Sequence, residues 1–167
     1  MTGATIPPTG DAARALRTAL AAYPTGVVAL AAEIDDRLVG MAVNSFTSIS
    51  LDPALVAVSV ARTSRTWAQL ASAQRIGLSV LAAHQEGVSR RLSSRDGDRF
   101  GDVGVHRAEG GALLIEGAAL WLQVEPHTTL DGGDHEIVLL RIVDVDHFDG
   151  VEPLVFHRSR YGAVLTS

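Results

Sequence analysis

The segment from Val39 to Ala61, VGMAVNSFTSISLDPALVAVSVA, restricts the fold more than any other stretch of this 167-residue chain. Val39 to Val43 and Leu55 to Ala61 are apolar runs of strand length, the second alternating partly through Ser59. Between them, Asn44-Ser45-Phe46-Thr47-Ser48 is too polar to be core, and Asp52-Pro53 marks the turn back into the second run. The pattern is two buried strands flanking a loop rich in hydroxyls and backbone donors.

The flanking chain supplies strands to accompany them. Residues 1–10, with Pro7-Pro8 and Gly10, read as a loose arm ahead of a single domain spanning 11–167. Asp11 is placed to cap a helix with Ala12, Leu16, Ala19 or Leu20, and Tyr23 on one face, and Pro24 ends it. Val27 to Ile34 is a strand, with Asp35-Asp36-Arg37 as the hairpin turn into Leu38–Val43. Beyond Ala61, Thr63 or Ser64 can cap a helix burying Trp67, Leu70 and Ala71, and Arg75 to Leu81 returns as a strand. A short helix from Gln85 to Leu92 precedes a polar surface loop over Ser93–Glu109. Strands follow at Leu113–Ile115, Ala118–Val124, Glu136–Val145 and Leu154–His157, with a bend at Gly117 and a hairpin turn at Asp131-Gly132-Gly133. Six or seven strands joined mostly by hairpins, with two or three helices, predict a mainly β antiparallel barrel. No GxGxxG follows a strand, so a parallel nucleotide-binding sheet is excluded.

Composition narrows the function. A chain with 47% apolar residues and a mean hydropathy of +0.20 has enough apolar surface for a real core. A net charge of -5, with 14 scattered cations that are all Arg, lacks the basic stripe of a nucleic-acid binder. No cysteine means no disulfide framework and no thiolate nucleophile, which fits a reducing cytoplasm. The N-terminus has no charged segment leading into an apolar one, and no apolar run reaches the ~18 residues that span a bilayer. Neither a membrane nor a nucleic acid is expected as partner.

The chemistry-bearing residues do not form a familiar hydrolytic set. Six histidines occur without helical ligand spacing, so no metal site is expected. His135-Glu136 begins like H-E-x-x-H but lacks the second His, and the stretch Asp96–Asp102 lacks the acidic residues of a calcium loop. No nucleophile elbow, Ser-His-Asp arrangement or conspicuous carboxylate pair is present. Arg62-Thr63-Ser64-Arg65-Thr66 offers hydroxyls and cations that suit a phosphate, although by spacing alone it reads first as an ordinary capped helix with solvated arginines.

In order along the chain, Tyr23-Pro24-Thr25-Gly26-Val27, GMAVNSFTSISLDPALVAVSVARTSRTW, Ser79 to Gln85, Asp98-Arg99-Phe100, Gly133-Asp134-His135 and the segment His157-Arg158-Ser159-Arg160-Tyr161 resemble the short-chain flavin reductases, the reductase components of two-component flavin-dependent monooxygenases. The resemblance covers nearly everything after about residue 12. It implies a Greek-key split β-barrel with a few flanking helices, working as a homodimer with flavin near the subunit interface. It further implies reduction of FMN or FAD by NADH or NADPH, and transfer of reduced flavin to a separate monooxygenase.

The same resemblance assigns residues. Thr25, Gly26, Val43, Asn44, Ser45, Ser48, Arg62, Ser64, Thr66, Ala82 and Gln85 are implied to hold flavin, with the S-x-T element at the phosphate. Phe100, His135, His157 and Arg158 are implied to place the nicotinamide, His135 as the residue that orients it. The chain departs from the family's T-A-N-S, N-V-L and Gly-Glu elements at Ala42-Val43, Ser79 and Leu140-Arg141. Hydride transfer between two stacked rings requires positioning and exclusion of water rather than a general base. A split-barrel flavoprotein acting on another small substrate, and a non-catalytic flavin-binding module, are the alternative readings.

Overall fold

The computed structural model of the chain describes residues 10–164, so the expected arm lies outside the described residues save for Gly10. In chain order the elements are α1 (Asp11–Leu20), β1 (Thr25–Gly26), β2 (Val28–Ile34), β3 (Arg37–Val43), β4 (Thr47–Leu51) and β5 (Ala54–Ala61). Then come α2 (Arg65–Leu70), β6 (Ile76–Val80), α3 (Glu86–Ser93), β7 (Val105–Arg107), a 3-10 turn (Glu109–Gly111) and β8 (Leu113–Ile115). The last four are β9 (Leu120–Gly132), β10 (His135–His147), β11 (Leu154–His157) and β12 (Arg160–Ala163).

Seven strands form one antiparallel sheet in the order β3-β2-β6-β9-β10-β5-β4. Its two edge strands, β3 and β4, are consecutive in the chain yet not hydrogen-bonded to each other, and this is the split of the barrel. Only Asn44, Ser45 and Phe46 join them. Alternate residues of β2, β5, β6, β9 and β10 fill the interior, among them Leu30, Val58, Leu78, Val124 and Leu140. Trp67 and Leu70 of α2 complete that cluster. Register shifts at Leu139/Leu140 and Ile142/Asp144 bend the long β9–β10 ribbon.

A second apolar layer lies outside the barrel. Val27, Ala29 and Ala31 pack there against Leu81, Leu92, Phe100, Leu113, Ile115 and Leu154. Residues 28–32 of β2 are thus buried on both faces, which is why they are uniformly apolar. The layer approaches the barrel closely at two glycines. A Cβ at Gly77 would lie 2.0 Å from the Leu113 carbonyl oxygen, and one at Gly40 would lie 2.6 Å from the Phe100 ring. β8 and Phe100 sit where only glycine leaves room.

The structure differs from the sequence expectations in several places. Twelve strands occur among the described residues, because β1, β4, β7 and β12 arise within segments read as turn, loop or tail. Asp11 does not cap α1: Gly10 holds the cap position without a side-chain bond, and Asp11 is the first helical residue, where its carboxylate complements the helix dipole. No residue of α1 is buried, and Leu16, Leu20 and Tyr23 stay exposed. Of the two candidate caps for α2 it is Ser64 that serves, accepting from the Trp67 N–H at 3.1 Å, and Ala71 is exposed. β9 continues through Gly132, so the hairpin turn is Gly133-Asp134.

Candidate functional site

The outer layer leaves a groove along β3. At one end is a slot of about 190 Å³ walled by Val27, Ala42, Val43, Phe156 and Tyr161, with Asn44, Ser89 and Ser93 as polar groups. The Tyr161 hydroxyl lies 2.9 Å from the Ser89 Oγ, and Phe156 tilts against the Tyr161 ring at 5.1 Å. The Arg90 guanidinium stands over the Tyr161 ring, 5.0 Å from its centroid, as a cation–π partner. Aromatic and aliphatic walls with a few polar groups form the usual lining of a small-molecule site.

At the other end is a cavity of about 570 Å³ lined by Ala61, Thr63, Ser64, Arg65, Thr66, Arg95 and Arg99. Arg99 donates from Nη1 to the Gly40 carbonyl at 2.9 Å and to the Thr66 Oγ1 at 2.8 Å, tying the loop after α3 to β3 and α2. Arg65, Arg95 and Arg99 form no ion pair among the described residues. Three uncompensated guanidiniums beside three hydroxyls make an anion site. With only six residues, α2 adds little dipole, and the Ser64 Oγ already takes the Trp67 N–H. Side-chain charge therefore carries the attraction. The cavity and the slot are neighbours: Gly40, which Arg99 of the cavity grips, and Ala42-Val43 of the slot lie on one strand, about 7–10 Å apart at ~3.3 Å per residue, while Ser93 lines the slot and Arg95 the cavity.

Arg62 is turned away from this cavity. Its guanidinium donates to the Gly133 carbonyl at 2.8 Å and pairs with Asp131 and Glu136, both at 3.1 Å. It fastens the β9–β10 hairpin to the end of β5. His135 opens β10 opposite Ala61, beside the basic cavity, and its exposed ring contacts the Asp134 carboxylate through Nδ1 at 2.7 Å. That hydrogen bond lowers the Asp134 pKa below its ordinary value, with the charge on His135 adding to it. Asp131 is lowered as well, first by the Gly133 N–H and then by Arg62.

The remaining candidates divide. Ser64 and Thr66 line the basic cavity, and Val43 and Asn44 line the slot. Ser45 instead ties the β3–β4 connection to β5, its Oγ donating to the Ser59 carbonyl at 2.8 Å and accepting the Ser59 N–H at 2.9 Å. Ser48 is exposed on β4 opposite Val56 and lines neither cavity. Gln85 is buried with both ends of its amide engaged, Oε1 by the Ala82 N–H and Nε2 by the Glu116 carbonyl. It braces the chain, and the buried Ala82 spends its N–H on that brace. Thr25 and Gly26 pair with Phe156 and Val155 beneath the slot. Phe100 is buried in the outer layer over Gly40, so its ring anchors the loop instead of lining a cavity. His157 and Arg158 are tied to the end of α1, through His157 Nε2 to the Ala22 carbonyl and the Arg158 N–H to the Ala21 carbonyl.

Sequence reasoning placed Arg65 in a phosphate-suited run and Tyr161 in a family-like segment without assigning either as a site residue, passed over Arg95 and Ser89, and valued Asp98-Arg99-Phe100 for Phe100 when Arg99 is the member that reaches the cavity. The available signal was charge: Arg95 and Arg99 are the two cations of an otherwise acidic and small-residue loop, four residues apart. A group with a phosphate at one end and a flat apolar ring at the other fits this donor set, cations and hydroxyls at one end of the groove and aromatic walls at the other.

Known proteins point to the same group. The family described as flavin reductase like domain matches residues 20–165. The chain is 38% identical over 149 residues to a flavin reductase of Pseudomonas putida, covering 87% of this chain and 86% of that protein. The solved structure of the Streptomyces globisporus NADH:FAD oxidoreductase with NAD and FAD fragments superposes with a TM-score of 0.87 at 31% identity, covering 96% of each chain. The styrene monooxygenase flavin reductase of Pseudomonas putida superposes with a TM-score of 0.82 at 33% identity, covering 91% of this chain and 98% of that one. The split barrel, its basic cavity and the agreement over nearly the whole length place the chain in the flavin reductase family.

Proposed function

We propose that this flavin reductase uses NADH or NADPH to reduce FMN or FAD held in the groove along β3, and releases reduced flavin to a separate flavin-dependent monooxygenase. The observation that carries the reading is the meeting of Arg65, Arg95 and Arg99 with Thr63, Ser64 and Thr66 at one end of an apolar slot. Those cations and hydroxyls would take the flavin phosphate, and Val43, Asn44 and Tyr161 would border the ring. Bound flavin supplies a ring able to accept a hydride from a reduced nicotinamide.

The chain's own part is to bind, orient and exclude water. Arg99 fixes the loop that covers the basic cavity while offering its remaining N–H groups to an anion. Asp134 holds the His135 ring through Nδ1, leaving Nε2 directed elsewhere as a positioning group for the nicotinamide amide. Arg62 keeps that hairpin against β5.

The reading extends to assembly and place. Leu16, Leu20 and Tyr23 of the α1 region, Ile49 and Leu51 of β4, and Leu130, Val143 and Val145 of the β9–β10 ribbon are exposed apolar residues that a second copy would cover, giving a homodimer. No helix among the described residues is long and apolar enough to cross a membrane. The cysteine-free composition suits work in the cytoplasm.

The test is oxidation of NADH and NADPH by purified protein, with and without FMN, FAD and riboflavin. Oxidation that requires flavin and turns over many equivalents supports the reading. Flavin binding without oxidation favours a binding module, and oxidation limited to one equivalent of tightly held flavin favours a flavoprotein acting on another substrate.

A further inference from the structure

Three polar residues are buried among the described residues: Ser79, Gln85 and Ser89. Two of them are taken up by backbone. The Ser79 Oγ accepts the Ile115 N–H at 2.9 Å, and the Gln85 amide is engaged at both ends. Ser89, 1% exposed on α3, has a single side-chain partner among the described residues, the Tyr161 hydroxyl at 2.9 Å. The Tyr161 hydroxyl likewise has no partner there but Ser89. The apolar slot is the cavity that these two residues share as a wall.

Each hydroxyl carries one proton and two lone pairs. The bond between Ser89 and Tyr161 uses one of the two protons, whichever oxygen donates it. The other proton has no acceptor among the described residues, and a buried donor left unpaired costs about 1–3 kcal/mol. It is a donor waiting for an acceptor in the slot. The pair is also held in place without a ligand. Tyr161 stands opposite Phe156 in the β11–β12 ladder and tilts against that ring, while Arg90, itself paired with Glu86 at 2.7 Å, covers the ring face. A donor fixed in this way meets its acceptor without rearrangement.

We propose that the Ser89–Tyr161 hydroxyl pair donates its free proton to a heteroatom on the pyrimidine edge of the flavin ring, fixing which end of the ring enters the slot and holding the negative charge that gathers there on reduction. The proposal rests on the flavin reductase reading. With the phosphate met by Arg65, Arg95 and Arg99 at one end of the groove, the ring extends toward the slot at the other. Of the two ends of that ring, the dimethylbenzene end has no atom that accepts a hydrogen bond, whereas the pyrimidine end has carbonyl oxygens and ring nitrogens. A hydrogen bond to a charged acceptor is roughly twice as strong as one between neutral groups. The pair therefore favours reduced flavin over oxidised flavin.

The experiment is the double variant Ser89→Ala/Tyr161→Phe, which removes both partners of one bond, keeps the ring, and is for that reason nearly neutral for folding. Affinities for oxidised riboflavin and FMN would be measured by fluorescence quenching, and those for the reduced flavins from the midpoint potentials of bound and free flavin. Oxidised riboflavin should bind about three- to fivefold more weakly than in the parent, and reduced riboflavin about tenfold or more. The ratio of FMN to riboflavin affinity, set by the arginines, and the midpoint of denaturant unfolding should stay as in the parent. Equal losses for oxidised and reduced flavin would overturn the proposal and make the pair a packing contact. Unchanged flavin affinities with a raised KM for NADH would also overturn it, assigning the free proton to the nicotinamide amide, and so would a variant that matches the parent throughout. A parent that binds neither riboflavin nor FMN would instead overturn the flavin reductase reading, and the proposal with it.

Discussion

Arg62 and Arg65 stand three residues apart in the run Arg62-Thr63-Ser64-Arg65-Thr66, yet their surroundings differ completely. Arg62 is compensated by Asp131, Glu136 and a carbonyl, whereas Arg65 joins Arg95 and Arg99 at a cavity with no carboxylate partner. A compensated guanidinium at a hairpin is a clasp between strands. Uncompensated guanidiniums held together despite mutual repulsion are poised for an anion from outside. The lesson is that residue type does not distinguish a structural arginine from a binding one, and the partners brought by the fold do.

The strongest way to sharpen this contrast is to disturb the binding arginines without touching a charge. Phe100→Ala removes the buried ring that anchors the loop carrying Arg95 and Arg99, and should cost about 3 kcal/mol of stability in denaturant titration. FMN affinity should fall with it, although Phe100 borders neither the slot nor the basic cavity. Next in size, His135→Ala should raise the apparent KM for NADH about fivefold and leave FMN affinity unchanged, a split visible in parallel kinetics and quenching. Unchanged kinetics would remove the positioning role.

Arg62→Ala is the variant that can break the contrast. It should lower the melting temperature by about 2–4 °C, the shift expected for roughly 1 kcal/mol in a chain of this size, with FMN affinity kept. A loss of FMN affinity as large as that of the binding arginines would show that the clasp and the cavity are one unit. The smallest effect is in pH. Asp131 and Asp134 both have pKa values lowered by folding from an ordinary value of 3.8, so the stability they contribute is complete above that value. It is lost as pH falls through the lowered values in the folded protein. Acid unfolding followed below pH 3.8 should be shifted to higher pH in Arg62→Ala, since one cause of the lowered Asp131 value is gone.

Much of the fold was legible because its signals are local. The continuous apolar run of β2, the Asp35-Asp36 turn and the Ser64 cap are each read from a few neighbouring residues. β4 was not legible, since Thr47–Leu51 is a strand only by pairing with β5. β12 likewise hides in a basic segment and exists because it pairs with β11. The site followed the same rule. Ser64, Thr66, Val43 and Asn44 could be named from motifs and do border the groove. Gln85 and Ser45 also match motifs, but their hydrogen bonds go to distant backbone that no spacing discloses. Arg95, Arg99 and Tyr161 reach the groove from other elements, so only the tertiary structure unites them.

The central claim is that the unpaired arginines receive the flavin phosphate, and equilibrium titration of FMN against riboflavin in the parent and in Arg95→Ala/Arg99→Ala tests it most directly. The parent should bind FMN about tenfold or more tighter than riboflavin, and the double variant should lose that preference with riboflavin affinity little changed. Equal affinity of the parent for both ligands, or a preference that survives in the variant, would contradict the claim.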